Sequence, residues 1–82
     1  MSTLTLLKLP NVLSLRAKRP SAHYADIRAG LFTPPIKRST KDAVWPEHEV
    51  TKISAAEIAS KPPEEIKALV QQLVAERSKA AA

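Results

Sequence analysis

The chain has 82 residues and a formal net charge of +5, which is enough for one small domain with a modest core. The absence of cysteine excludes disulfides and thiolate metal sites and suits a reducing cytosol. The apolar runs are too short to span a membrane, and Leu4–Leu9 is too short for a signal-peptide core and is followed by no small-residue cleavage site. We therefore expect a cytoplasmic protein without a membrane partner.

Positive charge is concentrated in the first half of the chain. Residues 1–45 carry eight Lys or Arg against two Asp, whereas residues 46–82 carry five basic and six acidic residues. A cationic half joined to a near-neutral half is typical of an anion-binding surface followed by a structural or partner-binding segment. The charge distribution therefore favours an anionic partner.

The first predicted helix covers residues 10–16. Pro10 suits the first helical position, where its missing N–H has no cost. Val12, Leu13 and Leu15 supply its apolar side. The apolar segment before it is predicted to form a short strand or an extended lead-in.

A second helix is predicted over residues 20–29. Pro20 again stands where a first helical residue should, and Gly30 stands where a helix should end. The short connection Arg16–Arg19 between the two helices predicts a helix-turn-helix.

A β-hairpin is predicted after the second helix. Ile36–Arg38 and Ala43–Trp45 have the character of two short strands around the polar tip 39–42. Phe32 and Trp45 are predicted to lie in the core. In this element order the hairpin is the wing of a winged helix-turn-helix.

A third helix is predicted to open at Pro46 with an acidic first turn, and Val50, Ile53 and Ile58 give it an apolar face. Lys61–Pro63 then breaks the chain.

The fourth helix has the clearest amphipathic pattern, and its apolar stripe could pack back on the same chain or form an oligomer interface with a second copy. Folding back is slightly favoured because the core is small. The stripe consists of Ile66, Leu69, Val70, Leu73 and Val74. The predicted fold class is mainly α with a small β-hairpin, divided into a winged helix-turn-helix over residues 1–60 and a C-terminal helix over 61–82.

Three segments resemble, at fixed spacing, the AlpA family of phage-type regulators, which are small winged-helix proteins related to the MerR DNA-binding domain and to phage excisionases. The resemblance covers about residues 6–53. It implies a regulator of transcription or an excisionase of a prophage or integrative element, with double-stranded DNA as partner and an integrase as a further one. The matching segments are Leu6-Leu7-Lys8-Leu9-Pro10-x-Val12-Leu13, Ser21-x-x-Tyr24-x-x-Ile27-Arg28-x-Gly30-x-Phe32-x-x-Pro35-Ile36-Lys37 and Val44-Trp45-Pro46-x-x-Glu49-Val50.

The sequence departs from the family pattern around the second helix. Ala17, Lys18 and Arg19 stand where the family usually has Gly-Leu-Ser, so the helix starts without a capping side chain. His23 stands where the family commonly has a buried Leu or Ile, and Asp26 stands where Trp or Leu is common.

Phosphate contacts are expected from two groups of basic residues. Lys18 and Arg19, beside the free N–H groups that open the second helix, are predicted to form a phosphate clamp, the alternative being a solvated basic turn. The wing is predicted to lie along the backbone or minor groove, the alternative being charge protection of a strand edge. The wing residues in question are Lys37, Arg38, Ser39, Thr40 and Lys41.

The outer face of the second helix is expected to enter the major groove. Small residues allow close approach, a serine can bond a base edge or phosphate, and an alanine can contact a thymine methyl. Tyr24 would bond a phosphate or else pack on the wing, and Arg28 would contact the backbone or serve as a helix-terminal charge. The face consists of Ser21, Ala22, Tyr24, Ala25 and Arg28.

No chemistry beyond binding is expected. His23 and His48 have no third ligand at useful spacing, no catalytic arrangement is recognisable, and a chain with one glycine has no glycine-rich phosphate loop. We therefore expect no enzyme activity, metal, cofactor or small-molecule substrate, and an association with DNA in the nucleoid. Self-association on adjacent DNA sites is the alternative to folding back of the fourth helix. The alternative is a protein-interaction adaptor whose basic half binds an acidic partner and whose C-terminal helix docks in a groove.

Overall fold

The computed structural model describes residues 5–39 and 42–80. These residues form four helices and a three-stranded antiparallel sheet with strand order β1-β3-β2. The predicted fold class is confirmed, since a helix-turn-helix is followed by a hairpin wing and an added C-terminal helix. In chain order the elements are β1 (Leu6–Lys8), α1 (Leu9–Arg16), α2 (Pro20–Ala29), β2 (Ile36–Ser39), β3 (Asp42–Pro46), α3 (Glu47–Ile58) and α4 (Pro63–Ala80).

The sheet contains one more strand than the predicted hairpin. The lead-in segment forms β1, which pairs with β3 so that Leu7 lies opposite Trp45. On the other side of β3, Ile36 lies opposite Val44, with an irregular register before Ser39. The central position of β3 explains why the strand is largely buried.

The turns that bound α2 follow from backbone conformation. Arg19 precedes the helix without a side-chain cap, and Pro20 occupies its first turn. Gly30 ends the helix at φ 81°, in the left-handed region that glycine tolerates. Ala17 adopts the same region, at φ 56°, at the end of α1. A side chain is unfavourable there, so this turn carries backbone strain.

The core lies between the sheet, α1, α3 and α4. Trp45 and Phe32 are buried as predicted, and the indole N–H of Trp45 donates to the carbonyl oxygen of Thr33 at 2.9 Å. The buried apolar cluster consists of Val12, Phe32, Trp45, Val50, Ile53, Ile66, Val70 and Leu73.

Helix α4 packs back on the chain to which it belongs. Ile66, Val70 and Leu73 are buried, whereas Leu69 and Val74 are partly buried against the same cluster. Burial of each large aliphatic side chain contributes roughly 1.5–3 kcal/mol. The C-terminal helix therefore contributes to the same core as the winged helix-turn-helix.

An ion pair also fastens α4 to α3. The Nε of Arg77 donates to Oε2 of Glu49 at 2.8 Å, and its Nη2 donates to Oε1 at 2.7 Å. The same Nη2 donates to the carbonyl oxygen of Pro34 at 2.8 Å. The Glu49 side chain is 0% exposed, so Arg77 supplies the charge that this buried carboxylate requires.

Two residues assigned to apolar helix faces are exposed, and those assignments are wrong. Ile58 is 85% exposed because it lies five residues after Ile53 and therefore points away from the buried side of α3. Leu15 is 61% exposed. Arg16 lies one turn after Val12 on the inner side of α1 and is buried.

A candidate nucleic-acid interface

The outer face of α2 lies at the surface, as predicted. Ser21, Ala25 and Arg28 are exposed, and their spacing of four and three residues puts them on one side of the helix. Ala22 beside them is exposed too. Tyr24 is half-buried, with its ring edge-on to the ring of His23 at 5.4 Å. Tyr24 therefore lies at the edge of this face and packs on α2 itself.

His23 anchors the inner face of α2. Its ring is fully buried and lies edge-on to Phe32 at 4.9 Å and to Trp45 at 5.0 Å between ring centroids. Because Trp45 belongs to β3, this contact ties α2 to the strand that leads out of the hairpin. A histidine thus occupies a fully buried position on the inner face of α2.

Arg16 joins three helices from a buried position. Its side chain is 0% exposed. Its Nη1 lies 2.9 Å from Nδ1 of His23, and its Nη2 donates to Asp26 at 2.9 Å and to Glu57 at 2.8 Å. Its guanidinium carbon also lies 4.1 Å from the centre of the Phe32 ring, a cation–π contact. We call Arg16, Lys18, His23, Asp26 and Glu57 the polar cluster.

The environment of His23 keeps its imidazole neutral. Burial is the main cause, and the positive charge of Arg16 adds to it, so that the pKa of His23 is lowered from 6.5 to about 4. Asp26 opposes this and Lys18 reinforces it, each with a smaller effect. The neutral imidazole can then accept a hydrogen bond from Arg16 without repulsion between two cations.

Lys18 is directed toward carboxylates of its own chain. Its Nζ is hydrogen-bonded to Oδ2 of Asp26 and lies 4.0 Å from Oε2 of Glu57. Burial alone would raise the pKa of Asp26, but hydrogen bonds from Lys18 and Arg16 outweigh it and lower the pKa. Of the two residues assigned to the phosphate clamp, only Arg19 is exposed and forms no ion pair with another described residue.

Three exposed cations lie directly before α2, in α2 and on the wing. Arg19 precedes α2, Arg28 lies in its last turn, and Lys37 lies on β2. None of the three forms an ion pair within the described part of the chain. Of the wing residues in the sequence prediction, Thr40 and Lys41 lie outside the described residues, as do the side chains of Arg38 and Ser39.

The polar cluster includes two residues that sequence reasoning missed, Arg16 and Glu57. One signal for them was present in the sequence. In the family pattern that the sequence resembles, apolar residues are usual at the positions of His23 and Asp26. Polar groups on the inner side of a helix require charged or hydrogen-bonding partners. Arg16, one turn after Val12 on α1, was the cation in position to supply them.

Comparison with known proteins identifies no relative: no family model, curated protein or solved structure matches the chain. In the described residues no helix is long and apolar enough to cross a membrane. No group of three or more His, Cys, Asp or Glu among those same residues could hold a metal ion.

Proposed function

We propose that this chain is a double-stranded DNA-binding protein with sequence preference. It acts as an AlpA-like transcriptional regulator or excisionase of a prophage or integrative element. Helix α2 enters the major groove, and the β2–β3 wing lies on the backbone or minor groove. The observation that carries the proposal is the exposed, small-residue face of α2 formed by Ser21, Ala22 and Ala25, with Arg19 before it and Arg28 at its end.

The dimensions of α2 suit this role. Its ten residues correspond to about 15 Å of helix, and the major groove is about 12 Å wide, enough to admit a helix. Small side chains let the backbone of α2 approach the bases. The hydroxyl of Ser21 can bond a base edge or phosphate, and the methyl of Ala22 or Ala25 can contact a thymine methyl.

The charges available for phosphates are those not balanced inside the protein. Arg16 and Lys18 are paired with Asp26 and Glu57. The exposed cations beside α2 or on the wing that form no ion pair with another described residue are Arg19, Arg28 and Lys37. Arg19 adjoins the free N–H groups at the start of α2, which favour an anion. Three phosphate contacts correspond to a slope of about −3 in a plot of log affinity against log salt concentration.

The rival proposal of an adaptor receives less support, because the apolar stripe of α4 that was to dock in a partner already packs on its own chain. In a DNA complex, self-association on adjacent sites and contact with an integrase remain part of our proposal. So does a cytoplasmic location at the nucleoid.

The proposal is tested by selecting sites from a library of random 20-bp duplexes and measuring affinity for the selected site and for an unselected duplex across a salt series. We expect a selected motif and a steep loss of affinity with salt. Arg28→Gln should lower the affinity for both duplexes. Lys52→Gln removes an exposed cation of α3 outside the proposed interface and should lower neither affinity. Absence of duplex binding at low salt would refute the proposal and favour the adaptor.

A further inference from the structure

We propose that Arg16 is a positioning residue for site recognition, which sets the orientation of α2 against α1 and α3 without touching DNA. This inference rests on the proposed function, since it concerns how the helix assigned to the groove is held. A side chain that is 0% exposed cannot reach a phosphate or a base. Any effect of Arg16 on sequence preference must therefore act through α2.

Helix α2 is held mainly by side chains. Its backbone closely approaches other elements at few points, unlike that of α1 or α3. Every side-chain hydrogen bond that joins α2 to the rest of the described chain comes from Arg16 or Lys18. Arg16 supplies two of them, one to His23 near the middle of α2 and one to Asp26 a turn later. Two bonds along the helix axis restrain its rotation as well as its distance.

The same guanidinium also reaches α3. The Nη2 atom that bonds Asp26 also donates to Glu57 at 2.8 Å. One planar group thus links residues of α1, α2 and α3, and charge-assisted hydrogen bonds to a guanidinium have defined directions. Apolar contacts are non-directional, so a purely aliphatic cluster would permit α2 to rotate or slide at smaller cost.

Stability alone does not account for the polar cluster. The Nε of Arg16 and the Nε2 of His23 are buried without a hydrogen-bond partner in the described residues. Buried ion clusters are often no more stable than apolar side chains of similar volume. The feature that this cluster adds over an apolar one is a defined orientation of α2, on which base contacts depend.

The experiment uses the site selected by the wild-type chain from random 20-bp duplexes, together with an unselected duplex of the same length. Partial unfolding raises both apparent dissociation constants by the same factor. The ratio of the two affinities is therefore insensitive to stability and reports the fit of α2. Arg16→Lys keeps the charge but replaces the two Nη atoms with a single Nζ, which cannot occupy both of their positions at once. Arg77→Lys is the matched control, because Arg77 forms a comparable ion pair that holds α4 and not α2.

We expect Arg16→Lys to lower the ratio about tenfold or more, the size of effect that follows loss of a base contact. Arg77→Lys should leave it within about twofold of wild type, whatever its effect on melting temperature. If Arg16→Lys does not fold, Glu57→Ala removes one of the three bonds and should lower the ratio severalfold.

If Arg16→Lys folds and keeps the wild-type ratio, the positioning role is overturned and the proposed function stands. If Arg16→Lys does not fold, a wild-type ratio in Glu57→Ala has the same meaning. An equal fall in Arg77→Lys would overturn the positioning role too, since the effect would then not be specific to α2. If the wild-type chain prefers no duplex sequence, the proposed function fails and the positioning role fails with it.

Discussion

Nη1 of Arg16 lies 2.9 Å from Nδ1 of His23 in the interior between α1 and α2, and this contact defines the state of the imidazole. A guanidinium only donates hydrogen bonds, so Nδ1 of His23 must accept and the ring proton is on Nε2. Protonation of His23 would turn this acceptor into a donor facing a cation. The neutral ring is therefore a condition for the native packing of α2.

The first prediction is that acid destabilises the protein through His23. Its pKa is about 4 in the folded chain and 6.5 ordinarily, so below pH 6.5 the unfolded chain binds the proton more readily. The contribution of neutral His23 to the free energy of unfolding is thus fully present above pH 6.5 and is lost as the pH falls toward 4. The total loss is about 3 kcal/mol. Urea unfolding at a series of pH values measures it, most clearly between pH 6.5 and 5, before most carboxylates titrate.

The control for this prediction is a comparison of slopes. His23→Leu should remove the dependence between pH 6.5 and 5, whereas His48→Gln, at an exposed position of α3, should retain it. The lowered pKa of Asp26 acts in a separate window. Its contribution is present above the ordinary value of 3.8 and is lost only below it. An unchanged slope in His23→Leu would contradict our assignment.

The second prediction concerns the ion pair between α3 and α4. Arg77→Met leaves the carboxylate of Glu49 buried without its cation, which typically costs about 3–5 kcal/mol. This is a large part of the stability of a small domain, so we expect a markedly lower urea midpoint. The double variant Glu49→Leu/Arg77→Met removes both charges and should recover most of the loss. A double variant as unstable as the single one would show that packing, and not the unpaired charge, sets the cost.

Local signals explain which elements could be predicted from the sequence. Pro20 and Gly30 place the ends of α2 at the residues expected, because a proline fits only the first turn and a glycine accepts the left-handed conformation that ends a helix. The exposed face of α2 was predictable from the spacing of Ser21, Ala25 and Arg28. The sequence does not decide between a strand and an extended lead-in for β1, since three residues carry little periodicity.

Long-range charge pairing explains what could not be predicted. Arg16 meets Glu57 across 41 positions of the chain, and Arg77 meets Glu49 across 28. Hydrophobic periodicity carries no information about such pairs. Lys18 shows the consequence for the site. The local pattern predicts that it binds a DNA phosphate, but its side chain is hydrogen-bonded to Asp26, eight positions away.

The third prediction is that Ala17→Gly stabilises the protein. Ala17 has φ 56° at the end of α1, where a Cβ costs roughly 1 kcal/mol and glycine does not pay it. We expect a gain of about 0.5–1 kcal/mol in the free energy of unfolding, reduced by the greater chain entropy of glycine. Ala55→Gly, at an exposed position within α3, should instead lose about 1 kcal/mol. A loss in both variants would refute strain at Ala17.

The fourth prediction connects the polar cluster to DNA affinity and depends on the proposed function. Asp26→Asn keeps the shape of the side chain but removes the charge that holds Lys18. The freed ammonium can then bind a phosphate, so affinity for unselected duplexes should rise severalfold and the salt slope should steepen by about 0.9. Lys18→Ala/Asp26→Asn should return the slope to the wild-type value, because the added contact is lost. A steeper slope in this double variant would mean that removal of the Asp26 charge acts on DNA directly. An unchanged slope in Asp26→Asn would contradict the prediction and would mean that Lys18 stays bound to Glu57, 4.0 Å away.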